Sequence, residues 1–181
     1  MSESSATPWK VLIIDDEPEV HTVTKMVLSH FSFAGRPLSF LHAYSAAEAK
    51  ELLSSAEDVA VILLDVIMEE EDSGLKLIGY IRETLKNRFV RIILRTGQPG
   101  QIPEHKVIIE YDINDYKSKS ELTYQKLFTS MTAALRAYDV ICSLERSSRE
   151  LEREKELISA TLHSIDDAVI SLDTEGRVTI M

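Results

Sequence analysis

Short, uninterrupted apolar runs are the feature that most constrains the fold of this chain. Val11–Ile14, Val59–Leu64 and Arg91–Leu94 are each four to six residues long and rich in β-branched residues. Runs this short fit strands better than buried helices, and runs without alternation are typical of strands covered on both faces. Leu38–Ala43 and a weaker stretch, Asp115–Ser118, complete a set of five predicted strands.

Amphipathic segments separate these runs and are predicted to be helices. Their apolar residues recur at helical spacing, as Val20, Val23, Val27 and Phe31 show. Strands that alternate with helices predict an α/β fold, a doubly wound parallel sheet of (βα)5 type. The predicted helices are Glu19–Phe31, Ser45–Ala56, Leu75–Leu85, Ile102–Glu110 and a long helix that begins at Ser120.

The charge balance excludes several classes of partner. The 181 residues include 30 acidic and 20 basic side chains, for a net charge of −10. Such a chain lacks the basic surface that nucleic acid or an anionic membrane requires. No apolar run approaches the roughly 18 residues of a membrane span, and the polar N-terminus has no signal-peptide core. The single cysteine, Cys142, excludes a disulfide framework and a multi-cysteine metal site. We therefore expect a cytoplasmic protein.

Polar side chains follow four of the predicted strands. Asp15–Glu17 follows the first strand, Asp65 ends the third, Thr96 follows the fourth and Lys119 follows the fifth. In a sheet of order 2-1-3-4-5 these groups meet at one edge. Carboxylates held close together repel, and Mg²⁺ relieves that repulsion through oxygen ligands. One carboxylate could act as the nucleophile of aspartyl-phosphate chemistry, while Thr96 and Lys119 contact phosphoryl oxygens.

The motifs that carry these groups resemble a known family. VLIIDDEP, LLDVIM, ILRTG and NDYKSK occur in this order within about residues 10–138. Together they are similar to the receiver domain of two-component response regulators. The resemblance implies a flavodoxin-like receiver fold, phosphorylation with Mg²⁺ as cofactor, and a sensor histidine kinase or phosphotransfer protein as partner.

The resemblance also implies a role for individual residues. Asp65 would be the phosphoacceptor. The metal ligands would be Asp15, Asp16, Asp65 and the main-chain carbonyl of Ile67. The phosphoryl-binding and switch residues would be Thr96, Lys119 and Tyr116, with Lys117 as a competing candidate for the lysine.

The loop after Asp65 departs from the family pattern. Glu69 stands where the family usually has proline, and the loop Glu69–Asp72 is one residue longer and entirely acidic. These acids could slow an anionic phosphodonor or contact the metal, but we favour a solvated loop. Ser120 replaces another usual proline and is suited to cap the next helix. Because no required group is missing, we expect a receiver that can be phosphorylated.

The last predicted helix continues past the receiver. Its pattern runs to about Asp166, and nine of the twelve residues in Glu145–Glu156 are charged. A seven-residue register favours a parallel coiled-coil dimer over an exposed single helix. The apolar core positions are Ile141, Leu144, Leu151, Ile158, Leu162 and Ile165. Ser148 and Lys155 are polar core positions that weaken the seam.

These features divide the chain into four predicted regions. Residues 1–8 are a disordered lead, 9–138 the receiver, 139–166 a coiled-coil signalling helix, and 167–181 the truncated start of a PAS-like domain. The last assignment rests on LHSIDDAVISLDTEGRVTIM, which looks like a PAS opening. The stretch from RTGQPG to KSKSELT resembles receivers of cyclic-di-GMP signalling proteins. PAS domains of this kind often precede GGDEF, EAL or histidine-kinase modules.

The resulting hypothesis is a receiver that is not itself an enzyme. Phosphorylation of Asp65 would change a dimeric linker and so control an output module outside this chain. The main alternative is a degenerate receiver that acts as a dimerisation scaffold without phosphorylation. A free-standing phosphotransferase or phosphatase is less favoured, because the first strand is followed by Asp15-Asp16-Glu17 rather than a DxD motif.

Overall fold

The predicted strands lie in one sheet in this computed structural model. The structure describes residues 7–70, 72–97, 113–118, 123–163, 171–172 and 178–179. The sheet has the order β2-β3-β1-β4-β5-β6, and all neighbours except β2 and β3 are parallel. Without β2 this is the predicted order 2-1-3-4-5. The strands are β1 (Trp9–Ile14), β2 (Ser32–Phe33), β3 (Arg36–Ala43), β4 (Val59–Asp65), β5 (Arg91–Thr96) and β6 (Asp115–Ser118).

Strand β4 lies at the centre of the sheet, and all seven of its residues are buried. Its neighbours β1 and β5 are also buried almost throughout. Burial on both faces favours apolar side chains at most positions, which is why these strands lack an alternating pattern. The two acids that matter most, Asp15 and Asp65, therefore sit at the ends of strands fixed by a fully packed core.

Four α-helices lie within the described residues: α1 (Pro18–Val27), α2 (Ala46–Ser55), α3 (Ser73–Gly79) and α4 (Tyr124–His163). Helix α1 ends four residues before the predicted boundary, and α3 passes into a π-helical turn at Tyr80–Thr84. Predicted helix Ile102–Glu110 falls outside the described residues.

The N-terminus of α2 is capped by a serine. The Ser45 hydroxyl accepts a hydrogen bond from the Glu48 N–H at 3.1 Å. The Glu48 carboxylate accepts from the Tyr44 N–H at 2.8 Å, one residue earlier than an ideal capping box requires. Both contacts fix the entry of the chain into this helix.

A short hairpin before β3 was not predicted. Strands β2 and β3 pair antiparallel around Ala34 and Gly35, which both have positive φ. Two such residues in a two-residue loop match the twist of a hairpin. The hairpin packs on the start of β1, because the Trp9 indole N–H donates to the Phe33 carbonyl at 3.0 Å.

The two faces of the sheet are covered by different helices. On one face, Leu53 of α2 and Leu77 and Ile78 of α3 join the core cluster. The other face is associated with α4, whose apolar residues Leu127, Met131, Leu135 and Tyr138 are buried. Tyr138 meets Trp9 edge-on, at 6.1 Å between ring centroids.

The chain divides into two units after Ile141. Helix α4 belongs to both units, since it runs without interruption to His163. The second unit also contains β7 (Ser171–Leu172) and β8 (Val178–Thr179), which pair antiparallel. Among the described helices, none is long and apolar enough to cross a membrane.

Candidate functional site: an acidic pocket at the carboxyl edge of the sheet

Four carboxylates meet where β1 and β4 end. These strands are parallel neighbours, with Ile14 opposite Leu64, so the residues that follow Ile14 lie beside Asp65. The carboxylate oxygens of Asp15, Asp16, Glu17 and Asp65 lie within 4.8 Å of one another. Asp15 and Asp65 are buried, whereas Asp16 and Glu17 are exposed. We call these four residues the acidic pocket.

Backbone groups orient the two buried carboxylates. Oδ1 of Asp15 accepts the Glu17 N–H at 3.1 Å, and Oδ1 of Asp65 accepts the Ile67 N–H at 3.4 Å. Both are contacts to the backbone two residues ahead, which aspartate makes readily at turns. The predicted ligand at Ile67 is its carbonyl, and that role stays a prediction.

Gly74 allows helix α3 to begin directly against Asp65. Its N–H donates to the Val66 carbonyl at 3.1 Å. A Cβ at this position would lie 2.3 Å from the Asp65 carbonyl oxygen, which no side chain tolerates. Glycine is therefore required for the close approach that braces the Asp65 loop.

Thr96 ends β5 beside the acidic pocket. Asp65 pairs with Arg95 across the parallel strands, so Thr96 lies one residue further along the same edge, and it is buried. On the other side of β5, Thr96 pairs with Ser118 of β6. Tyr116 is in β6, opposite Leu94, but its side chain is not among those described. Lys119 lies outside the described residues.

Arg95 is a site residue that the sequence analysis did not identify. Its side chain is fully buried, and its guanidinium lies 3.5 Å from Oδ2 of Asp15. A second guanidinium nitrogen donates to the Thr24 hydroxyl of α1 at 2.9 Å. Burial lowers the pKa of Arg95, and attraction to Asp15 and Asp65 opposes that shift. An arginine inside the run ILRT was the available signal, because arginine is almost never fully buried unless it is paired.

Two histidines support the loop that carries Asp15. The His21 Nε2–H donates to the Asp15 carbonyl at 2.7 Å, and its Nδ1 faces Nδ1 of His42 at 2.9 Å. Because a carbonyl can only accept a hydrogen bond, the neutral His21 carries its proton on Nε2, and its Nδ1 accepts a hydrogen bond from the His42 Nδ1–H. Burial lowers the pKa of His42, as do the nearby His21 and Lys25 charges. The sequence analysis placed no ligand role on these residues, and His21 is indeed a core histidine.

The acidic loop 69–72 has paired charges where it is described. Oε1 of Glu69 accepts the Ala46 N–H at 2.9 Å, at the start of α2. Lys76 contacts Glu70 at 2.6 Å and Asp72 at 2.9 Å, and these hydrogen bonds raise the pKa of Lys76. The exposed pairs contribute little stability. The positive charge of Lys76 nevertheless offsets part of the negative charge of this loop, whose acids were predicted to be solvated.

The acidic pocket suits a hard divalent cation. Its donors are carboxylate oxygens, the ligand type that Mg²⁺ prefers, and the mixture of buried and exposed acids leaves room for water ligands. Asp15, Asp16 and Asp65 would hold the metal. The phosphoryl-transfer chemistry of such a site would use Mg²⁺ to offset negative charge.

The predicted linker residues lie on the second part of α4. Ile141 is half-buried, and Leu144, Leu151 and Ile158 are exposed. Leu162 is in the helix, although its side chain is not described, and Ile165 lies outside the described residues. The heptad positions therefore exist on a continuous helix up to His163. The dimer itself stays a prediction.

The fold is a doubly wound α/β domain. Its cluster of carboxylates, which is suited to bind a metal ion, lies at the carboxyl ends of β1 and β4, where the order of the strands reverses. A family model described as response regulator receiver domain matches residues 11–131, and this chain belongs to that family. The predicted family and fold are thereby confirmed.

One curated relative is much longer than this chain. The chain is 49% identical over 141 residues to a Vibrio cholerae serotype O1 protein named 3'3'-cGAMP-specific phosphodiesterase 2. The match covers 78% of this chain and 27% of the relative, so the chain spans about a quarter of that protein.

Solved receiver structures share the fold. A signal receiver domain of an HD domain-containing protein from Pseudomonas fluorescens Pf-5 matches with a TM-score of 0.63 and 25% identity, over 74% of this chain and 98% of that chain. A structure named adenylate cyclase from Rhodopirellula baltica matches with a TM-score of 0.66 and 18% identity, over 78% and 98%. The second likeness shows the fold alone.

Proposed function

We propose that this chain is a phosphorylation-dependent receiver whose phosphoacceptor is Asp65. The observation that carries the proposal is the placement of Asp65 at the buried end of the central strand, with three further carboxylates within 4.8 Å. Asp15 and Asp16, with Asp65 and the carbonyl of Ile67, would bind Mg²⁺. A sensor histidine kinase or phosphotransfer protein is the expected donor.

The chemistry assigned to Asp65 is nucleophilic. One of its carboxylate oxygens bonds to phosphorus as the bond from phosphorus to the donor's histidine nitrogen breaks, and the imidazole leaves with that electron pair. The contact from the Ile67 N–H holds the Asp65 carboxylate in one orientation. Thr96, buried at the neighbouring strand end, supplies a hydroxyl for a phosphoryl oxygen, and Lys119 supplies a positive charge.

Phosphorylation would then bias the α4 helix. In this proposal Thr96 moves towards the phosphoryl group and Tyr116 turns inward, so the surface formed by β6 and α4 repacks. Shifting a two-state equilibrium from 1:99 to 99:1 requires about 5.5 kcal/mol of differential stabilisation. New contacts at Thr96 and Lys119 would supply part of it.

The linker and output are also proposals. Leu144, Leu151 and Ile158 expose 61–67% of their surface, which supports a second copy of the chain as the partner for this helix face. The named activity of the Vibrio cholerae relative supports an output that acts in cyclic-dinucleotide signalling, outside this chain. Residues 167–181 would begin a PAS-like domain, and the protein would be cytoplasmic.

Intact mass spectrometry tests the phosphoacceptor. The protein is incubated with Mg²⁺ and a small-molecule phosphodonor, beside an Asp65→Asn control. One added phosphoryl group in the parent and none in the control is the expected result. Absence of the added mass, also with a kinase donor, would overturn the proposal.

The exposed apolar face of α4 favours a second candidate, a phosphorylation-independent dimerisation scaffold. Sedimentation velocity on the parent and on Asp65→Asn, each after incubation with Mg²⁺ and the phosphodonor, separates the two functions when it is read together with the intact mass. A scaffold forms dimers equally well in both proteins and takes up no phosphoryl group. A receiver takes up the phosphoryl group, whatever its basal state of association.

A further inference from the structure

The arginine beside the acidic pocket is held in an unusual way. Arg95 is fully buried on β5, yet only two contacts to its guanidinium are described, one to Thr24 and one to Asp15. Its Nε atom is buried without a hydrogen-bond partner among the described residues. Burying a charge is costly unless it is paired and hydrogen-bonded. These two contacts offset only part of the cost of burying the Arg95 charge. The negative charge of the acidic pocket offsets the rest.

We propose that Arg95 is a built-in counter-cation of the acidic pocket and that it weakens the binding of Mg²⁺ there. The inference rests on the proposed Mg²⁺-dependent function and goes beyond it. Arg95 and the metal ion would both be attracted to the carboxylate of Asp15, because the guanidinium lies 3.5 Å from its Oδ2. Arg95 is therefore a positioning and tuning residue, not a metal ligand.

Without the metal, the guanidinium offsets repulsion among the four carboxylates. Their oxygens lie within 4.8 Å of one another, a spacing at which like charges repel strongly in a partly buried site. The fixed positive charge of Arg95, 3.5 Å from Oδ2 of Asp15, reduces this repulsion. The pocket can then be organised before any cation arrives.

With the metal present, the same charge opposes binding. Arg95 has no exposed surface, and its contact to Thr24 anchors it to α1. Thr24 is itself tied to the helix, because its hydroxyl donates to the Val20 carbonyl at 2.6 Å. The guanidinium cannot swing into solvent when Mg²⁺ binds, so the two cations stay close and repel.

Calorimetric titration with Mg²⁺ tests the proposal on the full chain. Arg95→Met removes the charge and is expected to lower the Kd for Mg²⁺ about tenfold, from charge repulsion at an intermediate effective dielectric. Arg95→Lys keeps a positive charge and is expected to stay within about threefold of the parent.

Arg91 provides the matched control. It is also a buried arginine of β5 and lies on the same face of the strand, four residues away from Arg95. Its described hydrogen bonds go to the backbone carbonyls of Phe89 and Arg88, not to the pocket. Arg91→Met removes an equivalent charge and is expected to leave the Mg²⁺ Kd unchanged.

The outcomes separate this inference from the proposed function. Absence of Mg²⁺ binding by the parent would overturn both. Binding by the parent with an unchanged or higher Kd in Arg95→Met would overturn the inference alone. If Arg95→Met unfolds without metal, the readout is its thermal unfolding temperature against Mg²⁺ concentration. A larger Mg²⁺-dependent rise than in the parent supports the proposal, and no rescue shows a structural role only.

Discussion

Helix α4 has two parts with the same backbone conformation and different surroundings. In the first part, Leu127, Met131 and Leu135 recur at helical spacing and are buried. In the second part, Leu144 and Leu151 also recur regularly, but they expose 65% and 67% of their surface. The comparison shows that apolar spacing identifies a helix face without telling whether that face is covered within one chain.

The second part is held by weak local interactions in the described chain. Arg149 pairs with Glu145 at 2.8 Å and Lys155 with Glu152 at 3.5 Å; Glu145 is half-buried and the other three side chains are largely exposed. Such pairs each contribute a few tenths of a kcal/mol. A helix with so little support needs a partner along its apolar face, and this is why we propose a second copy.

The largest expected effect comes from truncating one leucine in each part. Leu135→Ala leaves a cavity in the core and is expected to lower the free energy of unfolding by about 3 kcal/mol. Leu151→Ala is expected to leave that free energy unchanged and to weaken self-association instead. Urea denaturation and sedimentation velocity measure the two effects. Equal destabilisation by both variants would mean that the second part is packed like the first.

Two glycines of the receiver allow the same comparison between a tightly packed position and an open one. Gly74→Ala is expected to destabilise the protein by about 1–3 kcal/mol, because its Cβ would clash with the Asp65 carbonyl. Gly79→Ala meets nothing within 4 Å and is expected to stabilise helix α3 by up to about 1 kcal/mol. Thermal denaturation measures both. A tolerated Gly74→Ala would show that the Asp65 loop is not braced by α3.

The site residues that could be predicted from the sequence are those whose positions are set by the end of a strand. Asp15 and Asp65 follow recognisable apolar runs, and the topology rule then places them side by side. Arg95 could not be found in this way, because its partners Thr24 and Asp15 are far from it in sequence. Its contacts depend on which face of β5 packs against α1. Tertiary packing determines that face, and no local sequence pattern encodes it.

The hairpin and the acidic loop were missed for a different reason. Strand β2 is only two residues long, so it has no periodicity to detect. Glu69 was predicted to be solvated, since four acids in a loop are usually a hydrated segment. Its contact with the Ala46 N–H joins two loops separated by 23 residues, and no local pattern encodes that.

The Glu69 contact predicts a smaller stability effect. Glu69→Gln removes a negative charge from the N-terminus of α2 and is expected to destabilise the protein by about 0.5 kcal/mol. Glu51→Gln, an exposed change in the middle of the same helix, is the matched control and is expected to have no effect. Thermal unfolding at low and high salt measures both. A Glu69 effect that does not shrink at high salt would contradict the charge–dipole explanation.

The smallest expected effect is a pH dependence from the histidine pair. Because burial and the neighbouring charges lower the pKa of His42, the folded protein resists its protonation. Well above the usual histidine pKa of 6.5, His42 is neutral in both the folded and the unfolded chain and contributes no pH dependence. As the pH falls below 6.5, the unfolded chain binds the proton first, so the free energy of unfolding decreases.

Thermal unfolding at pH 7.5 and pH 5.5 measures this decrease. The effect is small because His42 keeps part of its surface exposed. His42→Gln is expected to lose the histidine contribution, and a variant of the exposed His30, His30→Gln, is expected to keep it. If His30→Gln instead removed the decrease, the pH dependence would come from the surface. The contact between His21 and His42 would then make no contribution to the decrease in the free energy of unfolding at low pH.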